Sequence, residues 1–236
     1  MNEKITAFTL SFVSGFVDTA GFIALGGVFT AHVTGNFVLA GASLARASTE
    51  GVFVKLLMFP IFVAAVGLSY WLACFLERRR VNALFVLMLL EALLLLAFAV
   101  VGYYFQPQSA LKMSETQIVI AGAIGVGAMA LQNAYMKLHL PKMTMTTVMT
   151  GNVTQFSIDL MKTMFGIFNA DANHENSAEI RARLSKVGTV ILGFLSGSIG
   201  GAFLFMNFTL LAVLLPAGLI LITAFGQPKP AANEPH

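Results

Sequence analysis

Apolar residues gather along this chain into runs of about twenty, broken by short polar stretches, and such runs are longer and more continuous than the buried faces of soluble helices. About 20 residues rising 1.5 Å each cross roughly 30 Å of hydrocarbon. Six segments meet that length, at about 5–27, 53–76, 82–105, 117–137, 187–206 and 208–226. Two others, about 29–46 and 143–165, are apolar yet rich in Thr, Gly, Asn and Ser. The pattern predicts an all-α integral membrane protein of six transmembrane helices plus two re-entrant or short helices, with eight crossings as the alternative.

The fourteen Lys and Arg residues weigh one topology against the other, because short cytoplasmic loops collect basic residues. With eight crossings and the N-terminus inside, nine lie inside and five outside, and Arg78, Arg79 and Arg80 fall on the wrong face. With two re-entrant segments, only Arg46, Lys55 and Lys112 stay outside and the other eleven lie inside. The six-span reading is preferred, with both termini cytoplasmic at a bacterial inner membrane. Tyr103 and Tyr104 then mark the outer interface, and Tyr70 and Trp71 the cytoplasmic one.

Composition agrees: 57% of residues are hydrophobic, 11% are charged, and mean hydropathy is +0.81, outside the range of soluble domains. A net charge of +3 forms no basic stripe, so nucleic acid is not an expected partner; the lipid bilayer is. Cys74 is the single cysteine. Met1 to Lys4 followed by an apolar run resembles a signal peptide, but Asp18 interrupts that run and the segment is expected to be retained. Residues 1–228 are read as one membrane domain, and 229–236, rich in proline, as a flexible tail. Within 169–186, Asn176 and Glu179 suggest a capping box opening a surface helix near Ser177, with Glu179 and Arg183 as an i,i+4 pair.

Thr30, Thr34, Gly35 and Asn36 recur 116 residues later as Thr146, Thr150, Gly151 and Asn152. Each element follows one span and precedes two, so repeat halves of about 5–110 and 111–228 are expected, inverted relative to one another. Polar residues stand one helix upstream in both, Asp18 in the first and Gln132-Asn133 in the second. In each element Gly and Asn are expected to turn the backbone, and Thr and Asn to satisfy the first N–H groups of a helix starting inside the membrane. Such a start favours an anionic or dipolar neighbour.

The stretch Gly15-Phe16-Val17-Asp18-Thr19-Ala20-Gly21-Phe22, then Leu25-Gly26-Gly27-Val28-Phe29 and His32-Val33-Thr34-Gly35-Asn36, resembles the opening of the YoaK-like family of bacterial membrane proteins, a domain of unknown function. Gln132-Asn133-Ala134 and Thr146-Thr147-Val148-Met149-Thr150-Gly151 are similar to its second half. The resemblance covers nearly the whole chain and implies a multi-pass inner-membrane protein; it brings no active site.

Carboxylates deep in a span are costly and mark pathways or cross-helix bonds. Asp18 and Glu91 qualify. Asp159 is expected to pair locally with Lys162, and His32 titrates near neutrality, which suits a proton relay. His139, His174 and His236 are read as solvated, and no cofactor or metal is expected. Gly193, Gly197 and Gly201, with Gly122, Ala123, Gly125 and Gly127, form small-residue faces suited to helix packing. Met143, Met145 and Met149 are read as gap fillers.

The function expected from these features is a non-enzymatic transporter or channel for a small solute. Its pathway candidates are Asp18, His32, Thr34, Gly35, Asn36, Glu91, Gln132, Asn133, Thr150, Gly151 and Asn152. A structural or assembly protein, with the glycine faces as homo-oligomer contacts, is the alternative. An intramembrane hydrolase, with Ser43 of Gly41-Ala42-Ser43 as nucleophile and His32 as base, ranks third.

Overall fold

A computed structural model describes residues 2–49, 51–106, 113–165 and 177–227. All regular structure among these residues is helical: α1 (Glu3–Ala24), α2 (Gly35–Ala45), α3 (Val52–Arg78), α4 (Ala83–Phe105), α5 (Glu115–His139), α6 (Met149–Phe165), α7 (Ser177–Phe208), and a 3-10 turn (Thr209–Val213) running into α8 (Leu214–Gly226). Polar side chains open several of them. Asn2 accepts from Lys4 N ahead of α1, Asn82 accepts from Phe85 N ahead of α4, and Ser114 with Gln117 closes a capping box on α5.

Five segments are long and apolar enough to cross a membrane, the last of them Ser177–Gly226. That last segment folds back on itself at Thr209, which adopts a left-handed φ of 55°. Leu210 then lies over Gly102 at the end of α4, and Phe225 meets Phe85 at its start, so the turn and α8 run antiparallel to α4. The surface helix expected at Ser177 and the span expected at 187–206 are one continuous helix, α7. Asn176, His174 and the tail 229–236 lie outside the described residues.

Inter-helix contacts give the direction of each pass. Lys186 bonds Glu3 (2.9 Å) and Lys4 bonds Ser185 (2.9 Å), while Gly201 sits against Phe16, so α7 is parallel to α1. Gln132, late in α5, donates to the carbonyl of Leu10, early in α1 (2.8 Å); Gly122, early in α5, faces both Leu25 and Met58. Thus α5 is antiparallel to α1, and α3 starts at the end of the bundle where α1 stops. Hence α1 stops and α3 starts at one end of the bundle, while α5 stops and α7 starts at the other. Two re-entrant segments fit this geometry; eight crossings would need α5 parallel to α1.

Packing is tightest between α1 and α7. A Cβ at Gly193, Gly197 or Gly201 would strike the backbone oxygens of Phe8, Phe12 and Phe16 respectively, and one at Gly15 would strike that of Phe194. The small-residue face of α7 is thereby filled from within the molecule. The face on α5 is filled likewise, Gly122 by Leu25 and Met58, Gly125 by Thr30 and Phe98. Helices α1 and α5 form the enclosed centre, with 61% of each apolar window buried against 22% for α3. Around them the core gathers Leu10, Phe16, Met58, Leu95, Phe98, Met129 and Met136. Tyr70, Trp71, Tyr103 and Tyr104 are exposed on the flank, where headgroups would meet them.

Candidate functional site: two clasps around one cavity

After α1, Gly26 and Gly27 take left-handed φ values of 63° and 87°, which reverse the chain. The turn was expected at Gly35-Asn36 and Gly151-Asn152, but neither pair has positive φ. The returning segment then runs back beside α1 with the N–H groups of Thr30 and Ala31 facing it, and inside a bilayer these need acceptors. Asp18 supplies them: its Oδ1 accepts from Thr30 N (2.8 Å) and Ala31 N (2.7 Å) and from the Thr30 hydroxyl (3.3 Å). Its Oδ2 lies 2.6 Å from His32 Nδ1. Asp18 is therefore the clasp that holds the first re-entrant segment, and it fixes the imidazole as well.

Asn36 closes the same loop, since its amide donates to Phe29 O (3.0 Å) and accepts from Phe29 N (2.8 Å). Thr34 stands at the start of α2 without a side-chain cap bond, contrary to the capping role expected of it. Gly35 packs closely on Phe29, since a Cβ there would lie 3.0 Å from the ring and would press it aside.

The second segment is clasped by neutral groups. Gln132 Nε2 donates to Leu10 O and to Thr146 Oγ1 (both 2.8 Å), and the Thr147 hydroxyl donates to Asn133 Oδ1 (2.6 Å). Asn133 Nδ2 is anchored on Met129 O (2.8 Å). Asn152 donates to Met145 O (2.8 Å), seven residues back, the same interval as Asn36 to Phe29. Lys162 attracts the Asp159 carboxylate as expected, and Arg183 of α7 joins it, its Nε and Nη2 reaching the two carboxylate oxygens (2.8 and 2.7 Å). Two parallel N–H groups match a carboxylate better than one ammonium does.

The two segments enter from opposite ends and meet at a cavity of about 300 Å³. Ala31 to Thr34 line one side and Thr147 to Thr150 the other, with Asn133, Phe59 and Phe62 between them. Helices α2 and α6 both begin at this cavity, so both positive helix ends face it. Of the residues singled out in the sequence, His32, Thr34, Asn133 and Thr150 reach the cavity wall. Asp18, Asn36, Gln132 and Asn152 stand behind the wall as braces; Gly35 opens α2 and Gly151 lies in the first turn of α6, neither lining it. Phe194 meets the His32 ring edge-on at 5.3 Å.

Glu91 is not part of this wall. Buried between α4 and α5, it accepts the Tyr135 hydroxyl at 2.7 Å. Tyr135 escaped the sequence reading, although a carboxyl in a run of Leu requires a donor from another helix. Thr147 was missed too, being outside the four repeated identities. Ser43 bonds the carbonyl of Leu39 in its own helix (3.0 Å) and does not line the cavity with His32. His139 lies 3.7 Å from Glu77, not simply in solvent.

The family model described as "Protein of unknown function (DUF1275)" matches residues 6–226, a range that takes in both clasps and the cavity. The chain belongs to the DUF1275 family. A curated relative, UPF0700 transmembrane protein YoaK of Bacillus subtilis (strain 168), is 29% identical over 157 residues. That match covers 66% of either chain, just under two thirds of the relative's length. No solved structure matches. With several apolar spans and a transmembrane relative, this DUF1275 protein is a membrane protein.

Proposed function

We propose that this protein is a transporter or channel for a small solute, which binds in the cavity between the two re-entrant segments. The observation that carries the reading is the convergence of His32 and Thr34 from one end of the bundle with Asn133, Thr147 and Thr150 from the other on a single cavity. Paired broken helices meeting at mid-depth are the arrangement by which transporters with inverted repeats hold substrate.

An inverted repeat of halves 5–110 and 111–228 is part of the proposal. The pairing of helices supports it: α1 of one half packs on α7 of the other, and α5 on α3, so each half lends its first helix to its partner's third-ranked one. The two Asn braces span the same seven residues. We place the protein in a bacterial inner membrane with the Glu3 end of the bundle cytoplasmic, which puts Arg78, Arg79 and Arg80 inside. No catalytic role is proposed. The assembly reading loses its main support, because the glycine faces it relied on are occupied by α1 and by the core.

The test is flux. Proteoliposomes mixed with a hyperosmotic panel of urea, glycerol, sodium nitrate and sodium formate are followed by light scattering. At least one solute is expected to enter faster than into protein-free vesicles, and His32→Ala with Thr147→Val is expected to change that rate. Equal rates with and without protein across the panel would remove the transport reading.

A further inference from the structure

The polar groups on the cavity wall are neutral and all able to donate once His32 carries a second proton. The Thr147 hydroxyl is committed to Asn133 Oδ1, and one Asn133 N–H to Met129 O. That leaves the hydroxyls of Thr34 and Thr150, the second N–H of Asn133, and Nε2 of His32 to meet whatever occupies the space. Among the described lining residues none is a carboxylate, and His32 is the single ionisable one. Asp18 lies directly behind it, but both its oxygens are engaged, Oδ1 by the loop N–H groups and Oδ2 by His32 Nδ1.

We infer that the cavity binds a small monovalent anion together with one proton, the proton residing on His32 Nε2. The inference rests on the transport reading and names its substrate class. With Asp18 as a carboxylate, the 2.6 Å contact makes Nδ1 the donating nitrogen of a neutral His32, and Nε2 then presents a lone pair to the cavity. An anion arriving beside that lone pair, with the Asp18 carboxylate just behind, would place two negative charges in a medium of low dielectric. A proton taken from solvent onto Nε2 turns the lone pair into a donor and the Asp18–His32 pair into a neutral unit. Anion and proton therefore load together, and the filled site carries the same net charge as the empty one.

Among the described residues no other charge lines the cavity. The elements around His32 contribute Asp18 from α1, Phe194 from α7, Phe59 and Phe62 from α3, Asn133 from α5, and Thr147 to Thr150 from the second segment. The second half holds Val148 at the position matching His32, so a single proton is carried, by the first half alone. The volume suits a small ion with part of its hydration shell, since one water occupies about 30 Å³.

Binding of nitrate, chloride and formate to the purified detergent-solubilised protein tests this, by calorimetry in buffers of differing ionisation enthalpy between about pH 5.5 and 8. These anions remain ionised throughout that range, so any pH dependence belongs to the protein. At least one is expected to bind, with uptake of one proton per anion at the upper end and an affinity falling about tenfold per pH unit. His32→Gln should flatten that dependence, whereas Thr34→Val and Thr150→Val should weaken binding and keep it. The wild-type pH series decides the matter even if His32→Gln fails to fold. Binding equally strong at all pH values, or by none of the three anions, overturns the inference. Urea or glycerol flux without anion binding would discard the anion while leaving transport intact, and absence of all flux would discard both.

Discussion

The two re-entrant segments are held by opposite placements of charge. In the first half the ionisable pair, Asp18 and His32, stands at the tip, beside the cavity; in the second the pair is Asp159 and Arg183, at the base of α6 and away from the cavity wall. At its tip the second half uses Gln132, Asn133, Thr146 and Thr147, which neither gain nor lose protons. The first tip satisfies backbone N–H groups with a group that titrates, whereas the second is tied through threonine hydroxyls to neutral amides. The lesson is that matching mechanical roles leave the chemistry at each end free to diverge.

The largest effect should come from topology, since the comparison presumes segments entering from opposite faces. In a Cys74→Ala background, Arg46→Cys and Arg181→Cys should be labelled by a membrane-impermeant maleimide from opposite sides of sealed vesicles; labelling from one side would dissolve the comparison. Next, Asp18→Ala should cost about 3–5 kcal/mol in SDS unfolding titrations, because it strips several donors of a buried charged acceptor. A loss below about 1 kcal/mol would mean the clasp is not held by charge. Gln132→Leu removes two neutral bonds and should cost less, about 1–3 kcal/mol by the same titration. Of the two braces, Asn36→Ala should exceed Asn152→Ala by about 1 kcal/mol, since Asn36 holds both the N–H and the carbonyl of Phe29.

The smallest effect concerns acidity. Hydrogen bonds from Arg183 hold the Asp159 carboxyl below its ordinary value, outweighing the opposing effect of burial. A depressed folded value means the contribution is complete above the usual Asp range near ~4 and disappears only as pH falls through the lower, folded value. The stability difference between wild type and Asp159→Asn should therefore stay constant from about pH 8 to 5 and shrink below about 4. A difference that already fades at pH 6 would contradict the pairing.

Much of the architecture was legible in the sequence because hydrocarbon thickness imposes a length on every span. The re-entrant pair could be anticipated from Thr, Gly and Asn within otherwise apolar stretches. The roles of those residues were less legible, because they depend on where the chain turns. Gly26 and Gly27 make the reversal, which frees Gly35 for close packing and Asn36 for bracing. Asp18 read as a pathway acid and serves as a loop acceptor that aims His32; its partners lie 12 to 14 residues away, too far for helical periodicity to reveal. Lys162 was in reach of local spacing as a partner of Asp159, but Arg183, 24 residues away, was not.

The glycine seam between α1 and α7 bears on how the chain is made. Helix α1 has its closest neighbour almost two hundred residues downstream, so it must wait in the bilayer while that stretch is made. Asp18 can find its donors within the next fourteen residues, which lets that early hairpin shelter its charge before the rest arrives. Separate expression of the two halves should therefore yield a first fragment that inserts with its acid satisfied but leaves the groove side of α1 bare until the other fragment is supplied.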